Sequence, residues 1–324
     1  MQTSNKIWVG LGLSAALLLS AFYFLDVQKV IEELRSTTAR LLWICFGLAF
    51  LQQIALAIRW QRLLQPLGLR GFGLAFWSLR LNYFYNLCLP ARLGEPYRIY
   101  FLHRRAGLKA ATLVGTMAAE RFLDLLGLIF FVYLSFLVLG LKDQFSLWKW
   151  FLLLGAGLSL VMIFIRWTPR HKGGRWIRKL IFWRDQLLKG MKVLMRPKVF
   201  LAGILTTAAS WLIFSLMIFL ILKDFDVSAS FFHAILVLAG VSIAVALPSS
   251  PGQIGTFEAG AALALVSFLS VNLERAVSIG IIFHLSQMIP TLVVGLIGFV
   301  LYQAKAEPKV ERSKPSSRLE KEAG

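Results

Sequence analysis

The sequence has few acidic residues, and little charge of either sign, for a chain of 324 residues. Asp and Glu number 16 against 35 Lys and Arg, only 16% of the residues are charged, and 58% are hydrophobic. Soluble domains average about 25% charged and about 45–50% apolar residues. The composition therefore excludes a water-soluble globule and a disordered chain, and it predicts an integral membrane protein.

Cysteine and histidine are also scarce. Cys45 and Cys88 both fall in apolar stretches, so the sequence offers neither a disulfide framework nor a metal-ligand spacing. The four histidines are scattered without an HExxH pair, and we find no Walker loop, nucleophile elbow or Asp-rich metal motif. We therefore expect no metal and no cofactor, and we expect a transporter rather than an enzyme.

The positive charge lies between the apolar runs instead of on one soluble face, which excludes nucleic acid as a partner. Basic loops of membrane proteins remain in the cytoplasm. The basic segments are 59–70, 92–109 and 166–198, whereas 26–40, 141–149 and 223–230 are nearly balanced in charge. This asymmetry predicts a multi-pass protein of the inner (cytoplasmic) membrane with both termini in the cytoplasm.

Six apolar runs each have close to the ~20 residues that cross the hydrocarbon core of a bilayer. They cover residues 7–25, 41–58, 113–139, 148–165, 199–222 and 276–301. We predict an all-α integral membrane protein, a polytopic helical bundle. Residues 1–303 form its single transmembrane domain, and the polar tail 304–324 is disordered in the cytoplasm. No cleavage site follows the first run, so we interpret it as an uncleaved span.

Two further apolar regions are interrupted. Residues 72–89 end in LCLPARLGEPYR, before the basic loop 92–109, and residues 231–271 are split by LPSSPGQIGTFE. Proline and glycine interrupt helices, and irregular backbone at membrane depth must be buried or line a wet cavity. We predict two re-entrant hairpins, 72–91 from the cytoplasm and 231–271 from outside; the alternative is eight full spans. Each hairpin lies between two spans, a pattern typical of the inverted repeats of transporters.

Residues 170–198 combine basic side chains with a helical apolar period. The apolar positions recur every three or four residues, at Trp176, Leu180, Trp183, Leu187, Met191 and Leu194. This pattern predicts a basic amphipathic helix in the cytoplasmic headgroup layer. Its simplest role is a surface anchor, and a gating or substrate-collecting role is the alternative.

Three segments occur in this order in one known family. NYFYNLCLPARLGEPYRIYFL, ERFLDLLGL and ALPSSPGQIGTFEAGAAL resemble N-x-x-L-P-x-R-x-G-[ED]-x-x-R, E-R-x-x-D and P-x-x-P-G-x-x-G-x-x-E. These motifs are those of the flippase-like family named after the lysylphosphatidylglycerol synthase transmembrane region, and the resemblance covers about residues 5–303. It implies a lipid flippase-like transporter. A cytosolic aminoacyl-transferase domain is not expected, nor is lysyl transfer from tRNA.

Charged groups inside the bilayer cost about 2.5–3.5 kcal/mol each, so each needs a partner or a function. Arginine presents a planar, permanently charged fork that suits phosphate. We expect the headgroup of an anionic or phosphate-bearing lipid, a phospholipid or a polyprenyl-phosphate-linked lipid, to cross by alternating access. The candidate headgroup contacts are Arg80, Asn86, Arg92, Glu95, Arg98, Glu120, Arg121, Asp124, Gly252, Gly255 and Glu258. Glu258 and His284 are also the candidates for carrying a proton.

Two alternatives remain open from the sequence. A membrane-embedded phosphatase or transferase can use the same arginines and carboxylates, and so can a non-transporting partner of a lipid-modifying or glycan-assembly enzyme. Glu120, Arg121 and Asp124 can equally form an ion-pair lock between helices that never contacts substrate.

Overall fold

A computed structural model of the chain describes residues 27–89, 92–141, 175–246 and 250–303. Within these ranges the secondary structure is helical, without a strand. We number the described helices in chain order: α1 Val27–Ser36, α2 Ala39–Leu64, α3 Phe72–Cys88, α4 Gly94–Ala106, α5 Ala110–Val138, α6 Arg175–Met191, α7 Pro197–Asp224, α8 Phe231–Ala244, α9 Thr256–Leu269 and α10 Leu273–Gln303. The predicted spans at 7–25 and 148–165, and the tail 304–324, lie outside the described residues.

Four of the predicted spans are long helices. Helices α2, α5, α7 and α10 contain 26, 29, 28 and 31 residues. At 1.5 Å per residue each is roughly 40–45 Å long, more than the ~30 Å of a hydrocarbon core. Large hydrophobic side chains such as Trp43, Phe130, Leu205 and Val300 are exposed on them. An apolar outer surface on helices of this length defines a polytopic helical membrane protein.

The first interrupted region is a pair of helices, α3 and α4, which pack against each other. The expectation of a loop at 92–109 is wrong, because Gly94–Ala106 is helical and forms the returning arm of the hairpin. Pro96 lies in the first turn of α4, where proline costs no hydrogen bond. His103, Arg104 and Arg105 lie in the last turn, where positive charge stabilises a helix.

Gly94 allows α4 to begin directly against α3. A Cβ at this position would overlap the backbone carbonyl oxygen of Asn82. We expect Gly94→Ala to lower the free energy of unfolding by about 1–3 kcal/mol, as overpacking does in other cores. Thermal melting of the purified protein in detergent measures this effect. Gly73→Ala, in α3 with nothing near its Cβ, is the control and should be neutral or stabilising by at most about 1 kcal/mol. Equal melting temperatures for the two variants would contradict the close approach.

The second interrupted region also forms two short helices, as the sequence predicts. Helices α8 and α9 have 14 residues each, about 21 Å, which is shorter than the hydrocarbon core. The stretch Pro251–Leu269 has the length and hydropathy of a span. Its helix is nevertheless interrupted at Gly252 and Gly255, whose φ angles of 67° and 87° favour glycine.

The two halves of the bundle have the contact pattern of an inverted repeat. Helices α2 and α7 pack together, and Thr38 before α2 donates from its Oγ1 to the Asp224 carboxylate at the end of α7, at 2.8 Å. The two helices are therefore antiparallel. The α3–α4 hairpin packs on α10 through α3, and the α8–α9 hairpin packs on α5 through α8. The first half is α2–α5 and the second half is α7–α10. Exchanging α2 with α7, the two hairpins with each other and α5 with α10 gives the same contacts, as expected for an inverted repeat.

Helix α6 lies in the region where the sequence predicts the amphipathic helix. It packs along the first turns of α5, where Thr112 Oγ1 donates to Gln186 Oε1 at 2.9 Å. The backbone at Gly190 touches the Thr112 carbonyl so closely that a Cβ would not fit. Trp183 is 42% exposed. The bundle therefore holds α6 in place, and its position in the headgroup layer stays a prediction.

Candidate functional site

A single carboxylate inside the bundle binds two arginines from two other helices. Glu120 on α5 accepts from Arg59 Nη2 on α2 at 3.0 Å and from Arg98 Nη2 on α4 at 2.9 Å. The three side chains are at most 2% exposed. Because an unpaired charge is very costly in this environment, the three groups depend on one another. They tie the first hairpin to the long helices α2 and α5.

The hydrogen bonds of Arg59 extend to Asp124 and to helix α7. Arg59 Nη1 also donates to Asp124 Oδ1 at 2.5 Å and to Thr207 Oγ1 on α7 at 3.1 Å. Basic residues concentrate where α2 and α4 end and α5 and α7 begin, which we call the basic end. Glu120 and Thr207 each lie ten residues into their helices, about 15 Å from this end. This is about half the thickness of a hydrocarbon core.

A third buried arginine, Arg80 on α3, contacts no carboxylate among the described residues. It is 2% exposed, and its Nε and Nη2 find no acceptor among the described residues. Its guanidinium lies 5.0 Å from the ring of Tyr83 and interacts electrostatically with Arg98 and Glu120. We call Arg59, Arg80, Arg98 and Glu120 the buried cluster.

Trp60 supports Arg98 within the buried cluster. The Arg98 guanidinium stacks 3.4 Å from the centre of the Trp60 ring, and Trp60 Nε1 donates to Ser78 Oγ at 3.1 Å. Trp60 and Ser78 are both fully buried. A stacked arginine keeps its planar donor face fixed, which is the geometry that binds oxyanions well.

Three charged side chains beside the buried cluster remain accessible. Arg121 is 53% exposed and contacts Glu95 Oε1 at 3.2 Å and Asp124 Oδ2 at 3.4 Å. Glu95 and Asp124 are 31% and 34% exposed. We call these three residues the outer group. Asp124 also binds Arg59, so the outer group connects the accessible surface directly to the buried cluster.

The tips of the two hairpins meet. Arg92, which has a left-handed backbone with φ of 55°, donates from Nη2 to the carbonyl oxygen of Val245 at the end of α8. A Cβ at Gly252 would lie 3.0 Å from Leu87 Cδ1 in the first hairpin. Asn86 Oδ1 accepts from the N–H of Gly94 at 2.8 Å. In this conformation Arg92 joins the two tips and Asn86 closes the turn of the first hairpin, whereas the sequence predicts headgroup contacts for both residues.

Glu258 and His284 form a pair at the start of α9. Glu258 Oε1 lies 2.6 Å from His284 Nδ1, and Oε2 accepts from the N–H of Gly255 at 2.7 Å. The imidazole stacks on the Phe257 ring with the centroids 4.2 Å apart. The N–H of Gly255 thus donates to the Glu258 carboxylate in this conformation, whereas the sequence predicts a headgroup contact at Gly255.

Sequence reasoning missed Arg59. The sequence predicts the start of a basic loop at Arg59, because Arg62 and Arg70 follow it. The structure continues α2 to Leu64, which places Arg59 inside the bundle. The available signal is that Trp60, Leu63 and Leu64 continue the apolar face beyond the arginine. Of the candidate headgroup contacts, the structure brings together Glu95, Arg98, Glu120, Arg121 and Asp124. Pro90 and Pro248 lie outside the described residues.

A cavity of about 360 Å³ opens at the basic end, away from the buried cluster. Its charged lining residues are Asp185, Lys189, Lys192 and Arg196. Among the described residues, no three His, Cys, Asp or Glu side chains are grouped so that they can hold a metal ion.

Fold and site together define a polytopic helical membrane protein with two interrupted hairpins that meet beside a buried ionic cluster. The chain belongs to the family of the lysylphosphatidylglycerol synthase TM region, whose sequence profile matches residues 7–295. It is also similar to a UPF0104 membrane protein of Methanocaldococcus jannaschii, with 24% identity over 237 residues, 71% of this chain and 99% of that protein. No solved structure matches the chain. The motif resemblance is thus confirmed, and the family is one linked to lipid handling.

Proposed function

We propose that this protein is a lipid flippase-like transporter that moves an anionic or phosphate-bearing headgroup across the cytoplasmic membrane. The observation that carries the proposal is the buried cluster, which holds three guanidinium groups and one carboxylate inside the bundle, with Glu120 about 15 Å from the basic end. Such charges are costly in a membrane, and those that occur there usually mark a substrate path. The four residues belong to the first half of the repeat, and Arg59 reaches the second half through Thr207 on α7. Substrate sites of transporters with inverted repeats lie where the two halves meet.

The outer group is the proposed first contact of the headgroup. Arg121 is accessible, and Asp124 leads from it to Arg59 of the buried cluster. A headgroup on this route exchanges its hydration for contacts with arginine, while its tails stay in the surrounding hydrocarbon. The basic end faces the cytoplasm in this proposal, since basic loops remain on that side.

Alternating access requires the hairpin tips to separate. In the structure they are closed by the contact between Arg92 and Val245 and by the packing of Leu87 on Gly252. Movement of one half against the other opens the route on one side at a time. The proposal therefore predicts that holding the tips together stops lipid movement.

The test is a reconstituted translocation assay with neutral, anionic and polyprenyl-phosphate lipids in parallel vesicles. A Leu87→Cys, Ile254→Cys variant, whose native side chains both lie within 4 Å of the Cβ position of Gly252, carries Cys88→Ser, because Cys88 is exposed whereas Cys45 is buried. We expect one lipid class to move, movement to stop after treatment with a short cleavable bis-maleimide, and reduction of the linker to restore it. The Leu87→Cys single variant receives the same treatment as the control.

Two results would contradict this account. Undiminished movement by fully cross-linked protein would exclude opening of the tips. Movement of no lipid class by folded protein would favour an enzyme or a non-transporting partner of a lipid-modifying enzyme, because either can bind a headgroup without moving it.

The pair of Glu258 and His284 is our candidate for coupling lipid movement to a proton. A carboxylate 2.6 Å from an imidazole holds or releases a proton within one hydrogen bond. We expect the wild-type translocation rate to change under an imposed pH gradient and that of Glu258→Gln not to change. Glutamine retains an acceptor for the N–H of Gly255, which limits damage to α9. Equal responses of the two proteins would exclude Glu258 as the coupling group.

A further inference from the structure

We infer that the buried cluster selects a phosphomonoester headgroup, which carries up to two negative charges, over a phosphodiester, which carries one. The inference rests on the proposed function, since it concerns the same site. It names the chemical class of the headgroup by matching it to the charge and the donors that the protein leaves uncompensated.

The first argument is charge. Among the described residues, the buried cluster sets Arg59, Arg80 and Arg98 against Glu120, and Arg59 also pairs with Asp124 of the outer group. With the outer group and Arg92, which interacts electrostatically with Glu95 and Arg121, the count is five arginines and three carboxylates, an excess of two positive charges. A site in low dielectric is most stable when its ligand neutralises this excess. A dianion does so, and a monoanion leaves one charge buried and unpaired.

The second argument is the number of free donors. The Nε atoms of Arg59, Arg80 and Arg98 and the Nη2 of Arg80 are buried and find no acceptor among the described residues. A phosphomonoester presents three terminal oxygen atoms, each a strong acceptor. A phosphodiester presents two such oxygens and a second ester substituent that needs space. The donors of three helices therefore match a terminal phosphate better than a bridging one.

A phosphomonoester can come from two lipid sources, an acyl lipid with a terminal phosphate or a polyprenyl monophosphate. The arginines recognise the phosphate that the two sources share. Their tails differ in shape and chemistry, so a binding experiment with both lipids separates the sources while it tests the headgroup.

The experiment is lipid binding to the purified full-length chain in detergent, measured by native mass spectrometry. The probes are phosphatidic acid and phosphatidylglycerol with identical acyl chains, and polyprenyl monophosphate. We expect at least one phosphomonoester lipid to bind about tenfold more tightly than phosphatidylglycerol, the effect of one more hydrogen bond between charged groups. Arg80→Gln should abolish this preference. Arg62→Gln removes an exposed arginine from the last turn of α2 and should retain the preference for the phosphomonoester.

Binding of phosphatidylglycerol as tightly as of both phosphomonoesters would overturn the inference, and so would a preference that survives Arg80→Gln. If Arg80→Gln does not fold, Arg80→Lys keeps the charge without the planar fork, and a reduced preference is then the expected result. The inference and the proposed function fail separately. Preference without translocation contradicts only transport, whereas translocation without preference contradicts only the selection of the headgroup.

Discussion

Glu120→Gln is expected to lower the free energy of unfolding by about 3–5 kcal/mol, the usual cost of breaking a buried ion pair from one side. Glutamine keeps the shape of the side chain but leaves Arg59 and Arg98 without their shared carboxylate. Thermal melting and the amount of folded protein after extraction both measure the loss. The large effect follows from burial, because each of the three side chains is at most 2% exposed.

The matched control is Glu33→Gln. Glu33 binds Arg275 at 3.0 Å, and the side chains are 25% and 38% exposed. Exposed ion pairs contribute about 0–1 kcal/mol, so this variant should melt close to the wild type. If Glu120→Gln melts together with Glu33→Gln, the ionic contacts of Glu120 do not stabilise the bundle.

Arg80→Met is expected to leave the stability unchanged or higher while it lowers lipid translocation. A buried arginine without a carboxylate in contact stabilises the fold little or not at all, so methionine should be neutral or stabilising. Lipid translocation should nevertheless fall by about tenfold or more, because one charged donor to the headgroup is lost. Stabilisation with loss of activity is typical of residues retained for function.

Melting in detergent and translocation in vesicles, at equal protein content, provide the two readouts for Arg80→Met. Arg62→Met is the control, since Arg62 is exposed near the end of α2 and donates to Gln65 Oε1 at 3.4 Å. It should leave both quantities unchanged. A marked fall in the melting temperature of Arg80→Met would assign Arg80 to the packing of the bundle instead of to the lipid path.

Much of the fold follows from local patterns in the sequence. Apolar runs of span length predict α2, α5, α7 and α10, and the Pro and Gly residues in LPSSPGQIGTFE predict the break between α8 and α9. Helix α4 is missed because its amphipathic, arginine-rich sequence looks like a cytoplasmic loop. Only its packing on α3 and the pair of Arg98 with Glu120 make it a buried helix.

The candidate site is predictable only in part, for a related reason. Glu120 and Asp124 are four residues apart, and this spacing alone predicts that they lie on one face of a helix. Their partner Arg59 lies on α2, 61 positions before Glu120, and no local sequence pattern connects Arg59 with Glu120. The contact of Arg92 with Val245 spans 153 positions and depends on how the two halves meet. Long-range pairing of this kind is decided by tertiary packing.

The central claim is that the buried cluster binds the headgroup in addition to holding helices together. The most direct test is translocation by the double variant Arg98→Gln, Glu120→Gln, which removes one charge of each sign and keeps the net charge of the cluster. This variant should recover much of the stability lost in Glu120→Gln, because one of the two stranded arginines is gone. We predict that the folded double variant moves no lipid. Movement at the wild-type rate would show that the cluster is only a lock between helices and would contradict the account.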